Sequence, residues 1–453
     1  MTLDLAQIVE LQRRELEELR VENVRLREEL NKALQRIAEL EQAGSRQAAP
    51  FRRSETDKIP PEERKRPGRK PGHRGAFRQA PREVDEHIEV PLPACPRCGG
   101  PLTDRSYLTQ TIEEIPPLRP RVIRLVTESG VCACCGVVHS RHSLQTSRAQ
   151  GAAGTQLGPR ALAVAALLNK HLGNTIGNTC RILRRLCGLS ITRGGLAQAL
   201  ARVAAKLSGE YDKLLDCLRG SPAVNADETS WWVGGPGWWL WTFTNPQTTV
   251  FKVDNSRGSQ VVHEVLGTDY AGVLVSDCLS SYDPPPYRKH KCIAHHLKAI
   301  RQARDHPGMG PSRYLDDWRL LFQAVLGVTK SRDAMSPEDY AERCRHIEAW
   351  CDRLVATPCA QTGELAVRNR LQKQRPHLLG CLYEPAAEPT NNRAERALRP
   401  AVIARKLSCG NKTPRGSRAW QILTSLAQTC TQQGQDFIDF VSQRITLEPQ
   451  LAG

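Results

Sequence analysis

The sequence predicts a multidomain α/β protein in which a mixed sheet is preceded, interrupted and followed by helices. Three observations carry that expectation. Ala223 to Asp277 reads as three strands, a helix and a fourth strand. Leu3 to Ala43 contains no Gly or Pro and repeats its apolar residues in heptads. Between these segments lie two Cys-x-x-Cys pairs, the spacing of a metal knuckle. At 453 residues the chain has room for about three domains.

Charge and cysteine usage narrow the class. A net charge of +16 favours a polyanionic partner, although it says little about fold. No stretch approaches a membrane-spanning run of apolar residues, the longest lying near Ala161 to Leu168, and the first residues are charged and helix-forming. The expectation is a soluble, unexported chain of the cytoplasm without a membrane partner. Its 16 Cys then suggest reduced thiols plus a metal site, not a disulfide scaffold.

Residues 1–45 read as a coiled-coil dimerisation helix. With Leu16 at position a, Val9, Asn23, Leu30 and Ile37 fall at a, and Leu5, Gln12, Leu19, Leu26, Ala33 and Leu40 at d. Glu15, Glu22, Glu29 and Arg36 at g face Arg20, Arg27, Leu34 and Glu41 at e′, so three of the four pairs are opposite in charge. Asn23 at an a position costs stability but fixes register, which favours a parallel homodimer.

Residues 46–85 form a basic linker. Phe51 to Arg82 holds 11 Lys or Arg against 4 Asp or Glu, with Pro and Gly throughout, and is expected to be disordered alone. Its centre, Arg66-Pro67-Gly68-Arg69-Lys70-Pro71-Gly72-His73-Arg74-Gly75, has two readings. One is an AT-hook-like segment that places Arg66, Arg69, Lys70 and Arg74 in a narrow minor groove; the other is a solvated linker touching phosphates nonspecifically.

Residues 86–145 are expected to be a zinc-binding module. Cys95-Pro96-Arg97-Cys98 and Cys132-Ala133-Cys134-Cys135 are separated by 33 residues, and each pair presents two thiolates to one ion. Cys95, Cys98, Cys132 and Cys135 would make a closed structural Zn2+ site, with Tyr107 to Ile112 and Val122 to Glu128 as strands between them. Cys134 is surplus, and His139 is a substitute ligand.

Residues 155–218 turn helical, over Pro159 to His171, Thr175 to Cys187 and Arg193 to Tyr211. The turn Gly188 to Thr192 gives a helix-turn-helix-like arrangement carrying Arg181, Arg184, Arg185 and Arg193. DNA docking and plain helix packing both fit it.

Residues 219–445 carry the chemistry. Ala223 to Asp227 is a short strand ending in an acid, Trp238 to Asn245 and Thr248 to Val253 make a hairpin, Ser259 to Leu266 is a helix, and a second β-branched strand ends at Asp277. A crossover that lays the last strand parallel to the first brings Asp227 and Asp277 together at one sheet edge, where two carboxylates share divalent metal ions. Glu228, one residue on, falls on the opposite face. Asp254, Asp269 and Asp283 lie by turn signals and read as caps. Trp231, Trp232, Trp238, Trp239 and Trp241 read as strand residues packed on a core. Glu395 is the only acid among many bases from Thr390 to Arg418 and supplies a third carboxylate. Arg396, Arg399, Arg405 and Lys406 flank it and suit DNA phosphates.

On Ala226-Asp227-Glu228-Thr229, Ser276-Asp277 with Tyr282, Cys292-Ile293-Ala294-His295, Asn391-Asn392-x-x-Glu395-Arg396-Ala397-Leu398-Arg399 and Arg405-Lys406, the chain resembles the DDE transposases of the insertion sequence 66 family. It departs from their pattern where His296 and Lys298 follow His295. The resemblance implies a ribonuclease-H-like DDE catalytic core. The 117 residues between Asp277 and Glu395 exceed what such a core needs, so an all-α insertion is expected at about 305–380. It also implies Asp227, Asp277 and Glu395 as catalytic ligands of magnesium or manganese, and a place for His295 beside them. His295 would contact phosphate, position substrate or hydrogen-bond in the core. The implied activity is metal-dependent cleavage of insertion-sequence ends and strand transfer into target DNA. The implied partners are double-stranded DNA, a second or further copy of the chain, and companion transposition proteins. Two rivals remain: a non-catalytic zinc-containing DNA-binding regulator derived from a transposase, and a structure-selective nuclease.

Overall fold

A computed structural model describes residues 13, 16–17, 19–30, 72–75, 81–146, 155–306, 310–359 and 361–446. The chain divides into two compact units, Met1–Arg119 and Pro120–Gly453. In the first unit, residues 19–30 form helix α1, on which Leu19, Leu26 and Leu30 are exposed. The outer heptads of the expected coiled coil, and Arg66, Arg69 and Lys70 of the basic linker, lie outside the described residues. Arg74 is described, and its carbonyl lies 2.6 Å from His73 Nδ1.

The second unit opens with the hairpin β1 (Ser129–Cys132) and β2 (Gly136–His139), whose turn is the second cysteine knuckle. Residues 107–112 and 122–128 form no strand, against expectation. Tyr107, Val122 and Val126 are all more than four-fifths exposed, so their β-favouring side chains have no face to pack on.

The helical approach follows as α2 (Pro159–Ala166), which continues into a π-helical turn Leu167–His171, then α3 (Ile176–Cys187), α4 (Arg193–Lys206) and α5 (Ser208–Arg219). Thr175 and Thr192 cap α3 and α4 through bonds from Asn178 N and Gly195 N, and Gly188 ends α3 in the left-handed region. The single helix expected over Arg193 to Tyr211 is therefore two. The break falls at Leu207, which is buried, just before Ser208-Gly209, so packing and a weak local turn signal set the corner together.

The sheet runs β5-β4-β3-β6-β7. Its strands are β3 (Ala223–Trp231), β4 (Trp238–Thr244), β5 (Thr249–Asp254), β6 (Val273–Ser276) and β7 (Arg288–Lys291). β3, β4 and β5 are antiparallel neighbours. The β4–β5 turn closes on Asn245, whose side-chain oxygen accepts from Gln247 N and Thr248 N. Helix α6 (Gln260–Leu266) then crosses over, and β6 lies parallel to β3 with Asn225 opposite Val275. Every residue of β6 is buried, as expected of a central parallel strand.

Beyond β7, α7 (Ile293–Arg304) leads into an all-helical insertion of α8 (Arg313–Lys330), α9 (Pro337–Ala356), α10 (Thr362–Gln374) and α11 (Gly380–Tyr383), which has its own apolar cluster. The chain returns through α12 (Asn392–Ser408), α13 (Pro414–Gln433) and α14 (Phe437–Arg444). The segment 410–417 contains the first turn of α13, capped by Thr413.

Helix α13 closes the β5 edge of the sheet. Thr249 N, Phe251 N and Val253 N donate to Thr429 Oγ1, Ser425 Oγ and Gln421 Oε1 at 3.1, 2.8 and 3.0 Å. Three polar side chains at four-residue spacing thus satisfy every second amide of an otherwise unpaired edge. Gln421 also donates to Tyr211 Oη at 2.9 Å, and Tyr211 donates to the Phe251 carbonyl at 3.0 Å, which ties α5 into the same contact.

Candidate active site

The β3–β6 pairing brings two of the acids together. Carrying the register two residues past Asn225 and Val275 sets Asp227 abreast of Asp277. Asp277 is the first residue past β6, whereas β3, expected to end at Asp227, runs on to Trp231 paired with β4 alone. Asp227 therefore sits just past the last paired residues of the parallel ladder and not at a strand end. Leu279 N donates to Asp277 Oδ1 at 2.9 Å, and Glu228 N to Asp227 Oδ1 at 2.9 Å, so each carboxylate is held by a nearby backbone amide.

The third acid arrives through Asn391, a fully buried residue at the start of α12. Its Nδ2 donates to the Ala226 carbonyl at 2.7 Å, its Oδ1 accepts from Asn225 Nδ2 at 3.2 Å, and its backbone N reaches Cys292 Sγ at 3.1 Å. The helix therefore starts against β3 one residue short of Asp227. Glu395 follows one turn later, with its N bonded to the Asn391 carbonyl at 3.2 Å. Its carboxylate lies 4.0 Å from His295 Nε2.

Asp227 registers the convergence. Burial pushes its carboxyl well above the usual range, the charges of Glu228 and Asp277 push it further, and Glu395 adds to them against the Glu228 amide. Among the described residues no Lys or Arg forms an ion pair with Asp227 or Asp277, and no group of three or more His, Cys, Asp or Glu is arranged to hold a metal ion. Carboxylates that crowd without a cation repel one another. As a donor set they are hard oxygen ligands, the type that suits magnesium or manganese.

Other residues find clear places. Glu228 faces away from Asp227, as the pleat requires, but it is not idle: it accepts from Tyr282 Oη and Arg257 Nη2 at 2.7 and 2.8 Å. Burial first, then the Asp277 charge, raise its carboxyl against the bonds from Arg257 and Tyr282. Asp254 caps a turn through Ser256 N, and Asp283 pairs with Lys291 and Lys373. His296 is buried, stacked on Phe322 and 3.7 Å from Cys278 Sγ, and burial holds it well below its ordinary pKa. Cys292 is taken by the Asn391 amide, so Cys292, His295 and His296 do not converge as ligands. Arg405 is engaged with Thr229 Oγ1, Ser230 Oγ and the Ser230 carbonyl, a tie between α12 and β3. Trp231 and Trp241 are buried, whereas Trp232 is 44% exposed. Gly410 lies so close to Trp232 that an added Cβ would stand 2.6 Å from the Trp232 carbonyl, and its φ of 96° independently favours glycine.

At the knuckles, bonds from Arg97 and Cys98 amides lower the Cys95 thiol, and bonds from the Cys134 and Cys135 amides lower Cys132. Gly99 and Gly136, each after the second Cys, adopt positive φ.

Residues 154–419 match the family model described as Transposase IS66 family. The chain belongs to this IS66 transposase family. The matched span contains all three acids, His295 and the whole sheet, and family membership supports a transposase-related function. Among relatives, the IS66-family chain is 25% identical over 294 residues to the uncharacterized protein y4qI of Sinorhizobium fredii (strain NBRC 101917 / NGR234), covering 57% of this chain and 54% of that protein. It is 23% identical over 469 residues to the uncharacterized protein y4hP of the same strain, covering 93% and 81%. The chain thus spans about half the length of the first of these relatives. No helix among the described residues is long and apolar enough to cross a membrane.

Sequence reasoning had assigned no role to Asn391, Arg257 or Tyr282. Asn391 and Tyr282 sat inside quoted motifs, while Arg257 had no signal beyond being a base in a turn.

Proposed function

We propose that this IS66-family protein is a DNA transposase that cleaves the ends of its element and joins them to target DNA, with Asp227, Asp277 and Glu395 as one metal-holding unit. The observation that carries the reading is the parallel β3–β6 pairing that sets Asp227 abreast of Asp277, together with the bond from Asn391 Nδ2 to the Ala226 carbonyl that brings the helix of Glu395 to the same strand, from segments 50 and 168 residues away in sequence. The sheet order supports a ribonuclease-H-like core. Magnesium or manganese, when bound, supplies Lewis-acid stabilisation of the attacking and leaving oxygens of an in-line phosphoryl displacement.

The chain's own residues do the rest. Asp227, within β3, and Asp277, just past β6, offer oxygen donors beside the place where the parallel pairing stops, and Asn391 fixes the helix start that aims Glu395 at them. His295, next to Glu395, orients that carboxylate or meets a phosphate oxygen. Arg396, Arg399 and Lys406 on α12 take the DNA backbone, with Arg405 holding the helix to β3. In the first step water displaces the 3′ oxygen of the element end; in the second that freed 3′ hydroxyl attacks a target phosphodiester. The zinc knuckles, the AT-hook-like linker, the helix-turn-helix-like region, coiled-coil assembly, companion proteins and a cytoplasmic setting belong to the same reading.

The test measures nicking and joining of transposon-end DNA in magnesium by Asp227→Asn, Asp277→Asn and Glu395→Gln, with binding measured at matched salt. Each amide removes a charge and nearly keeps shape, so binding should survive while both reactions fail, and the single losses should approach the triple loss. Near-normal cleavage by one variant removes that residue from the unit, and normal cleavage by all three ends the enzyme reading.

A further inference from the structure

Behind the acids, on the other face of β3, lies a polar cluster that the catalytic reading does not use. Glu228 has a side chain only 3% exposed, and both of its carboxylate oxygens are taken: Oε2 by Tyr282 Oη at 2.7 Å and Oε1 by Arg257 Nη2 at 2.8 Å. The Arg257 guanidinium stacks on Trp239 with 4.2 Å to the ring centroid. Tyr282 is fully buried with its ring edge-on to Trp241 at 5.8 Å. The Ser281 hydroxyl donates to the Arg257 carbonyl, so the loop after β5 and the turn after β6 are joined through backbone as well as side chains.

These contacts converge on the turn that carries Asp277. That turn runs from Asp277, whose Oδ1 accepts from Leu279 N, through the 3-10 segment Ser280–Tyr282 to Asp283, which pairs with buried Lys291 at 3.2 Å. Tyr282 and Asp283 are thus its far anchor, and Glu228 is the neighbour in sequence of Asp227. One carboxylate links the strand that holds Asp227 to the turn that holds Asp277.

We propose that Glu228, Arg257 and Tyr282 are positioning residues, a latch that sets Asp277 opposite Asp227 and so raises the affinity of the acid site for a divalent cation. The proposal rests on the metal-holding role of Asp227 and Asp277 argued above. Stability of the fold alone does not call for this cluster. The same face of β3 carries Val224 and Ala226 in the apolar core, and an apolar residue at 228 would continue them without the desolvation cost of a buried carboxylate. Glu228 also adds negative charge beside two acids that already repel. Asp227 and Asp277 would hold a cation whose charge offsets that opposition, and a carboxylate pinned by a phenol and a guanidinium would then keep the two acids in register.

The experiment is Mn2+ titration of the full chain by calorimetry, with electron paramagnetic resonance of bound Mn2+ as a second reading, alongside DNA affinity at matched salt. Tyr282→Phe removes one hydroxyl, Glu228→Gln keeps shape and loses charge, and Arg257→Gln alters a half-exposed side chain that the core does not need. Each should weaken Mn2+ roughly 10- to 100-fold, as loss of groups that orient ligands does, with DNA affinity unchanged. The Glu228→Gln/Tyr282→Phe double variant should be no weaker than the worse single, because both act through one turn. Asp227→Asn is the reference. If it loses Mn2+ while all three latch variants bind as the parent does, the latch is overturned and the acid site stands. If Asp227→Asn itself binds Mn2+ normally, the metal reading is overturned and the latch with it. Should Tyr282→Phe fail to fold, Arg257→Gln decides by the same criterion.

Discussion

Asn391 holds the third acid in place, and its removal gives a loss that can be worked from the structure. Asn391→Ala deletes a carboxamide that donates to the Ala226 carbonyl at 2.7 Å and accepts from Asn225 Nδ2 at 3.2 Å, in surroundings where Asn391 and Ala226 have no exposure and Asn225 has 3%. Orphaning a buried donor or acceptor costs about 1–3 kcal/mol, and with the longer bond the weaker, the pair comes to about 2–4 kcal/mol. The backbone bond from Asn391 N to Cys292 Sγ survives, so the first turn of α12 is loosened and not released. At tenfold per 1.36 kcal/mol, local opening there should become roughly 30- to 900-fold more frequent. Hydrogen–deuterium exchange read by mass spectrometry tests it on peptides spanning residues 392–408, with α13 as the internal reference. Metal-dependent cleavage should fall with it, because Glu395 is one turn away. Protection of α12 within about threefold of the parent would refute the clamp.

Four further outcomes are expected. Gln421→Leu orphans Val253 N and takes from the Tyr211 hydroxyl one of its two bonds, the other running to the Phe251 carbonyl, and should lower stability by about 1–3 kcal/mol, read by urea unfolding. His290 is held at about 4 by burial, against a bond to the Pro389 carbonyl; the unfolded chain therefore binds its proton first, and the contribution is complete above about pH 6.5 and lost as pH falls toward 4. That window should be worth about 3 kcal/mol, and His290→Gln should flatten it in a pH series of thermal unfolding. Cys98→Ser should release one tightly held zinc by elemental analysis, while Cys134→Ser should retain it. Asn23→Leu should tighten self-association and admit oligomers above the dimer, read by sedimentation of the full chain.

What the sequence made legible follows from periodicity and its limits. The β3–β6 pair could be read because Ala223 to Asp227 and Val273 to Asp277 are short β-branched or apolar runs ending in an acid, with a helix-length segment between them. The break at Leu207 is only weakly marked: Ala204 to Lys206 favours a helix and the Ser208-Gly209 signal falls inside a helical pattern, so burial of Leu207 decides the corner. Between residues 107 and 128 the error ran the other way, because β-branched residues with no packing surface do not make a strand. Gln421, Ser425 and Thr429 left a readable trace, three polar residues four apart on a helix otherwise buried. Arg257 left none, since its partner lies 29 positions earlier and nothing local records that distance.

The insertion bears directly on the site. Helix α7 begins where β7 ends, and its first turn carries His295 while Ile293 and Ile300 on the same helix belong to the apolar cluster of α8 to α11. The entry to α12 is bonded to that same start: Ile293 N donates to the Pro389 carbonyl at 3.1 Å, and Cys292 Sγ accepts from Asn391 N. The helical lobe therefore packs against the one helix whose N-terminal turn holds both the histidine and the anchor for Glu395. Its 19-residue core cannot shift without moving Ile293, and Ile293 cannot move without disturbing Pro389 and Asn391. Length between the second and third acids is thus not idle sequence spanning a gap. It sets the position of α7, and through α7 the approach of Glu395 to the two acids on the sheet.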